Sequence, residues 1–85
     1  MSMVQELIAA VTNAERQIDD QIMKLQSYVG EIDKVTQRVD SAFGGSGKEF
    51  GKQMLQQLSM TKTQVNDTLG RLQEAKIKLV QVRMI

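Results

Sequence analysis

The sequence predicts an all-α chain folded as a two-helix antiparallel hairpin, with hairpins pairing into a four-helix bundle. Three observations predict it. Apolar residues recur at heptad spacing through both halves of the chain. One glycine-rich stretch separates the halves: Ala42-Phe43-Gly44-Gly45-Ser46-Gly47-Lys48-Glu49-Phe50, which holds or adjoins four of the six glycines. Residues with capping chemistry stand where each helix would begin.

The first helix is expected over about residues 3–42. Ser2 and Gln5 have the spacing of a capping box, in which each side chain reaches the other residue's backbone N–H. With Val4 as heptad position a, the a sites are Val4, Val11, Ile18, Leu25, Ile32 and Val39, every one Val, Ile or Leu. The d sites are Leu7, Ala14, Gln21, Tyr28, Val35 and Ala42, and Ile8, Ile22 and Val29 add to the stripe at e. A strict a/d seam suits a two-stranded coiled coil, whereas a, d and e together suit the wider face of a bundle. Gly30 interrupts, either for a close backbone approach or as a defect costing ~1 kcal/mol against Ala.

Residues 43–47 form the expected turn. Gly44, Gly45 and Gly47 can take φ > 0 without a Cβ penalty, which ends one helix and reverses the chain. Ser46 and Glu49 form a second capping-box pair, so the second helix is expected over about residues 47–83. Its a sites are Gly51, Leu58, Val65, Leu72 and Leu79, and its d sites Met54, Thr61, Thr68, Ala75 and Val82. That d row is small or hydroxylated and lets a neighbouring helix come close. Leu55 and Leu69 form a second partial stripe, Gly70 interrupts again, and Ile77 to Ile85 is apolar on more than one side.

So short a turn folds the helices back on each other as one hairpin over residues 1–85. A hairpin has one internal interface, and each helix carries apolar residues beyond it. Two helices also enclose little core against the entropy of ordering the chain. The sequence therefore predicts a partner hairpin, whether a copy of the chain or a different one, with Val11, Ile18, Leu25, Ile32, Val39, Leu58, Val65, Leu72 and Leu79 expected to serve helix packing and the partner interface.

Composition argues against an enzyme. Without His or Cys, the chain lacks the commonest general base, the commonest metal ligand and the strongest nucleophile, and no cofactor is expected. A net charge of +1 gives no case for nucleic acid. The charge is divided, however: residues 1–42 carry seven acids and four bases, and residues 43–85 three acids and seven bases, a weak attraction if the helices lie side by side. No run is apolar enough to cross a membrane, and Glu6 interrupts the only apolar stretch near the N-terminus. Export, if it occurs, is expected to need no cleaved signal.

Gly44-Gly45-Ser46-Gly47-Lys48 has the flavour of a phosphate loop, but Ala42 stands where its first Gly belongs and Glu49 where its Ser/Thr belongs. The lysines Lys48, Lys52, Lys62, Lys76 and Lys78 spread around the helix with no interleaved aromatics, as a solvated face does. Phe50 is expected to plug the open end of the hairpin. Phe43, before the glycines, is expected at the tip as a recognition feature.

At this tip the chain resembles the WXG family, small helical hairpins exported by type VII (ESX) secretion systems with Trp-x-Gly in the turn. Ala42-Phe43-Gly44-Gly45-Ser46-Gly47-Lys48-Glu49 is similar to the family's Ala-Trp-Gly-Gly-Ser-Gly-x-Glu turn, and a weaker likeness continues through Gln56-Gln57 and from Thr63 to Leu69-Gly70. Phe43 replaces the Trp, and the family's C-terminal Tyr-x-x-x-Asp/Glu motif is absent, the only tyrosine being Tyr28. The resemblance implies that Phe43 and Gly45 supply the turn half of an export signal and that a partner chain supplies the other half. It implies assembly in the cytoplasm and secretion by a signal-peptide-independent route. The partner would be a second hairpin or the N-terminal helices of a larger effector, as in adaptors of LXG toxins. The alternative is a self-assembling structural hairpin such as a type III secretion needle subunit, although those typically turn at a proline and this chain has none.

Overall fold

The computed structural model describes residues 2–43 and 49–85. The described residues form two helices: α1, Met3–Phe43, and α2, Glu49–Arg83. They pack against each other as an antiparallel hairpin, a rod of 66 × 14 × 13 Å. The all-α hairpin is thus the observed fold. Helix α1 runs one residue further than expected and takes in Phe43. Gly44, Gly45, Ser46, Gly47 and Lys48, with the second capping box, lie outside the described residues.

Helix α1 opens on the Ser2–Gln5 capping box. The Gln5 N–H donates to Ser2 Oγ at 3.1 Å, and the Ser2 N–H donates to Gln5 Oε1 at 3.3 Å. Two N–H groups that a helix start leaves orphaned are satisfied in this way. Threonines inside both helices donate to the carbonyl four residues back, as Thr36 does to Ile32 at 2.8 Å and Thr68 to Gln64 at 3.0 Å. At the other end, Met84 donates to the Val80 carbonyl at 3.0 Å and closes the last turn of α2.

The seam joins the a columns of both helices. Val11, Ile32 and Val39 are buried, and Ile18 and Leu25 half-buried, in α1; Leu58, Val65, Leu72 and Leu79 are half-buried in α2. From both helices the second contributing column is e, with Ile22 and Val29 half-buried in α1, and Leu69 buried and Leu55 half-buried in α2. Positions a and e, alternately four and three residues apart, keep to one side of a helix with 3.6 residues per turn. No side chain among the described residues is completely shut from water. The rod is therefore held by a narrow apolar strip rather than a core with depth.

Register is legible in two ion pairs. Lys62 Nζ lies 2.7 Å from Asp33 Oδ1, and Lys76 Nζ lies 2.6 Å from Asp19 Oδ1. The second pair is two heptads earlier in α1 and two heptads later in α2, so the helices stay in step along the rod. Near the turn, Gly51 is buried under Phe43, and a Cβ built on Gly51 would lie 2.5 Å from the Phe43 Cβ. The close backbone approach thus falls at Gly51. At Gly30 and Gly70 a Cβ would meet nothing within 4 Å, so neither marks a close approach.

Candidate interaction surface

The expected stripe of a, d and e is divided by the fold. From Val11 onward, positions a and e of α1 line the seam, whereas Val4 and Ile8 at its start are exposed; the d row turns outward except at the half-buried Ala14. Leu7 is 56%, Tyr28 50% and Val35 41% exposed. The division follows from geometry: d lies about 60° to one side of a, whereas e lies about 40° to the other. Once a and e face α2, d is left on an edge of the hairpin. The d row of α2 shares that edge, because antiparallel helices present the same rotational sense to the same side. Thr68 and Val82 there are exposed, Val82 at 47%, while Met54, Thr61 and Ala75 are half-buried.

The two edges of the rod differ in chemistry. On one, the b column of α1 meets the e column of α2, and the pairs Asp33–Lys62 and Asp19–Lys76 run along it. Glu15 and Arg83, both at e, add a third cross-helix pair. In all three the acid comes from α1 and the base from α2. The uneven division of charge between the halves is thereby expressed as contacts, each a modest gain for partly exposed groups. The opposite edge carries the d rows, Leu7 to Ala42 and Met54 to Val82, in which no residue is charged. Its two threonine hydroxyls are already satisfied: Thr61 donates to the Gln57 carbonyl at 2.9 Å and Thr68 to that of Gln64 at 3.0 Å. A partner lying over the two threonines need not supply hydrogen bonds to them.

Glu15 is the one buried charged residue among those described, at 9% exposure. Arg83 answers it with two donors, Nε to Oε2 at 2.8 Å and Nη2 to Oε1 at 3.3 Å. The hydrogen bond to Glu15, and then its charge, raise the Arg83 pKa above the ordinary arginine value. The burial of Glu15 follows from its place in the e column between Ile8 and Ile22, whereas its pairing with Arg83 depends on the register of the two helices.

The aromatic pair at the turn reverses the expected burial. Phe43 is half-buried against Gly51, and Phe50, expected as the plug, is 63% exposed. The rings meet edge to face, with centroids 5.9 Å apart and planes at 77°. Because α1 continues through Phe43, its ring is carried on a helix that α2 covers at Gly51, while Phe50 sits in a g row and faces outward. At the far end, Val4, Leu7, Ile8, Val82 and Ile85 line an open apolar groove.

Among the described residues, no group of His, Cys, Asp or Glu is arranged to hold a metal ion. No helix is long and apolar enough to cross a membrane. Fold and surface together define a helical hairpin with one ion-paired edge and one uncharged, partly apolar edge. Compared with protein-family models, curated proteins and solved structures, the chain matches none.

Proposed function

We propose that this chain is a non-enzymatic, WXG-like hairpin of a type VII secretion pathway. It acts by pairing with a second hairpin or with the N-terminal helices of a larger effector, as a co-exported substrate or as the adaptor that delivers its partner. The pairing would complete a four-helix bundle, assembled in the cytoplasm before export without a cleaved signal. The secretion half of the reading rests on the resemblance of the Ala42–Glu49 stretch to the family's turn. The pairing half rests on the uncharged d-row edge, an apolar surface for which the hairpin itself has no cover.

Surface area gives the pairing a scale. The chain exposes 6595 Å², against about 5,000 Å² for a compact protein of its 9.5 kDa mass. The excess is about 1,500 Å², enough for one side of a standard interface, ~800 Å².

The secretion half is tested by export. In cells with a working type VII apparatus, Phe43→Ala should reduce export of the chain and of whatever co-purifies with it. Phe43→Leu, which keeps an apolar side chain against Gly51, separates loss of recognition from loss of packing. Unchanged export in both variants would leave Phe43 with only its packing role and would contradict this half.

A further inference from the structure

The helices differ in intrinsic strength along their length. In α2, residues 52–58 and 71–79 are strong helix formers throughout, Ile77 apart. From Thr61 to Gly70, only Lys62, Gln64 and Leu69 are. Within that stretch Thr61, Thr63 and Thr68 donate to the carbonyl four residues back at 2.9, 3.1 and 3.0 Å, a bond that weakens and bends the helix carrying it. In α1 the longest run of weak formers is Ser27-Tyr28-Val29-Gly30.

The register brings the two weak stretches level. The pairs Asp33–Lys62 and Asp19–Lys76 set Thr61 across from Lys34 and Gly70 across from Leu25, so residues 61–70 run alongside residues 25–34. Gly30 and Gly70 then stand about 7.5 Å apart along the axis. Both occupy heptad position f, on the ion-paired side of the rod. A Cβ on either would meet nothing within 4 Å, so the packing of the hairpin gives neither a reason to be glycine. What each does is soften its own turn of helix.

The seam at this level suits a bend. Among the described residues, no cross-helix ion pair falls between the levels of Asp19 and Asp33. The helices are joined there by apolar side chains, with Leu69 and Ile32 buried and Val29 and Val65 half-buried. Such packing is non-directional, so it can pivot while it stays closed. On either side the geometry is pinned. Towards the turn stand Asp33–Lys62 and the Phe43–Gly51 contact, and towards the other end Asp19–Lys76 and the Glu15–Arg83 fork.

From this arrangement we propose that the rod contains a joint: two pinned arms bend relative to each other about the level of Gly30 and Gly70, with the apolar seam as pivot. The joint belongs to the single hairpin and is independent of the functional reading. Its consequence is that the d-row edge is not a fixed straight surface, and its parts on either side of Tyr28 can change their relative angle.

Double electron–electron resonance between spin labels measures the bend. The chain has no cysteine, so labels go only where one is introduced. Asn13→Cys with Ser41→Cys puts one label on each arm at exposed c positions, about 42 Å apart on a straight helix. Ser27→Cys with Asp67→Cys puts one on each helix at the level of the joint. Dilution with unlabelled chain leaves only distances within one molecule. The arm-to-arm distribution should be roughly twofold broader with both glycines present than in Gly30→Ala/Gly70→Ala, where it should centre on the straight-helix value. The helix-to-helix distribution should be narrow in both backgrounds.

Equal arm-to-arm widths in the two backgrounds would overturn the joint. A broad helix-to-helix distribution that the alanines narrow would overturn it too, because the glycines would then loosen the seam instead of letting a closed rod bend.

Discussion

Arg83 closes on Glu15 across 68 positions of sequence, with Nε 2.8 Å from Oε2 and Nη2 3.3 Å from Oε1. The fork ties the last turn of α2 to α1 at the end of the rod away from the glycines. The two members of the pair are not equivalent. The Glu15 side chain is 12% exposed and that of Arg83 39%. Removing the arginine strands a carboxylate inside the seam, whereas removing the carboxylate leaves a guanidinium that water can reach.

Arg83→Met should therefore lower the thermal midpoint more than Glu15→Leu does, and the double variant should lie closer to wild type than Arg83→Met alone. A melt followed by circular dichroism decides the ranking. The sign of the pH effect follows from the raised Arg83 pKa. A cation held above its unfolded value contributes fully below that value and loses its contribution only as pH rises through the folded one. The arginine side of the pair should thus be insensitive to pH across the neutral range.

The glycines make opposite predictions. At Gly51 a new Cβ would fall 2.5 Å from the Phe43 Cβ, which is anchored to the backbone of α1 and cannot swing away. Gly51→Ala should push the helices apart near the turn and cost ~1–3 kcal/mol. At Gly30 and Gly70 the space is open, and alanine should stabilise each helix by ~0.5–1 kcal/mol. Urea unfolding of the three variants measures both signs.

The cross-helix pairs are partly exposed, with side-chain exposure of 41% and 48% in Lys62–Asp33. Lys62→Asp or Asp33→Lys alone should place like charges together and cost ~0.5–1 kcal/mol, and the double exchange should recover most of it. The coupling should shrink in high salt. A double-mutant cycle in low and high salt measures it.

The seam and the edge also separate two effects that the heptad alone does not. Ile18 is half-buried between the helices of one chain, so Ile18→Asp should lower helicity and break the hairpin itself. Tyr28 lies outside the seam at 50% exposure, so Tyr28→Asp should leave the hairpin intact and act on pairing alone.

Much of the fold was legible in the sequence because its signals repeat. Six consecutive a sites of α1 occupied by Val, Ile or Leu define a helix and its buried side together, and Ser2 with Gln5 marks where it starts. Of the nine residues expected to pack, five stand in this column and four in the a column of α2, whereas Leu69, buried at 8% exposure, stands at e. The split of a, d and e into inside and outside was not legible, because d and e lie on opposite sides of a and only the position of α2 decides between them. The charge division was visible, but its resolution into three cross-helix pairs needed the register. Phe43 and Phe50 exchanged burial because α1 runs through residue 43, and one residue of helix turns a side chain by about 100°. Gly51 looked like any other small residue at an a site until Phe43 lay across it.

The central claim is that one edge of this rod is built to be covered by another hairpin. Light scattering tests it directly on wild type and Tyr28→Asp, with circular dichroism on the same samples. The account predicts equal helicity, a mass of two hairpins for wild type, and a mass of one for the variant. Equal masses for the two chains, or long filaments of wild type, would contradict it.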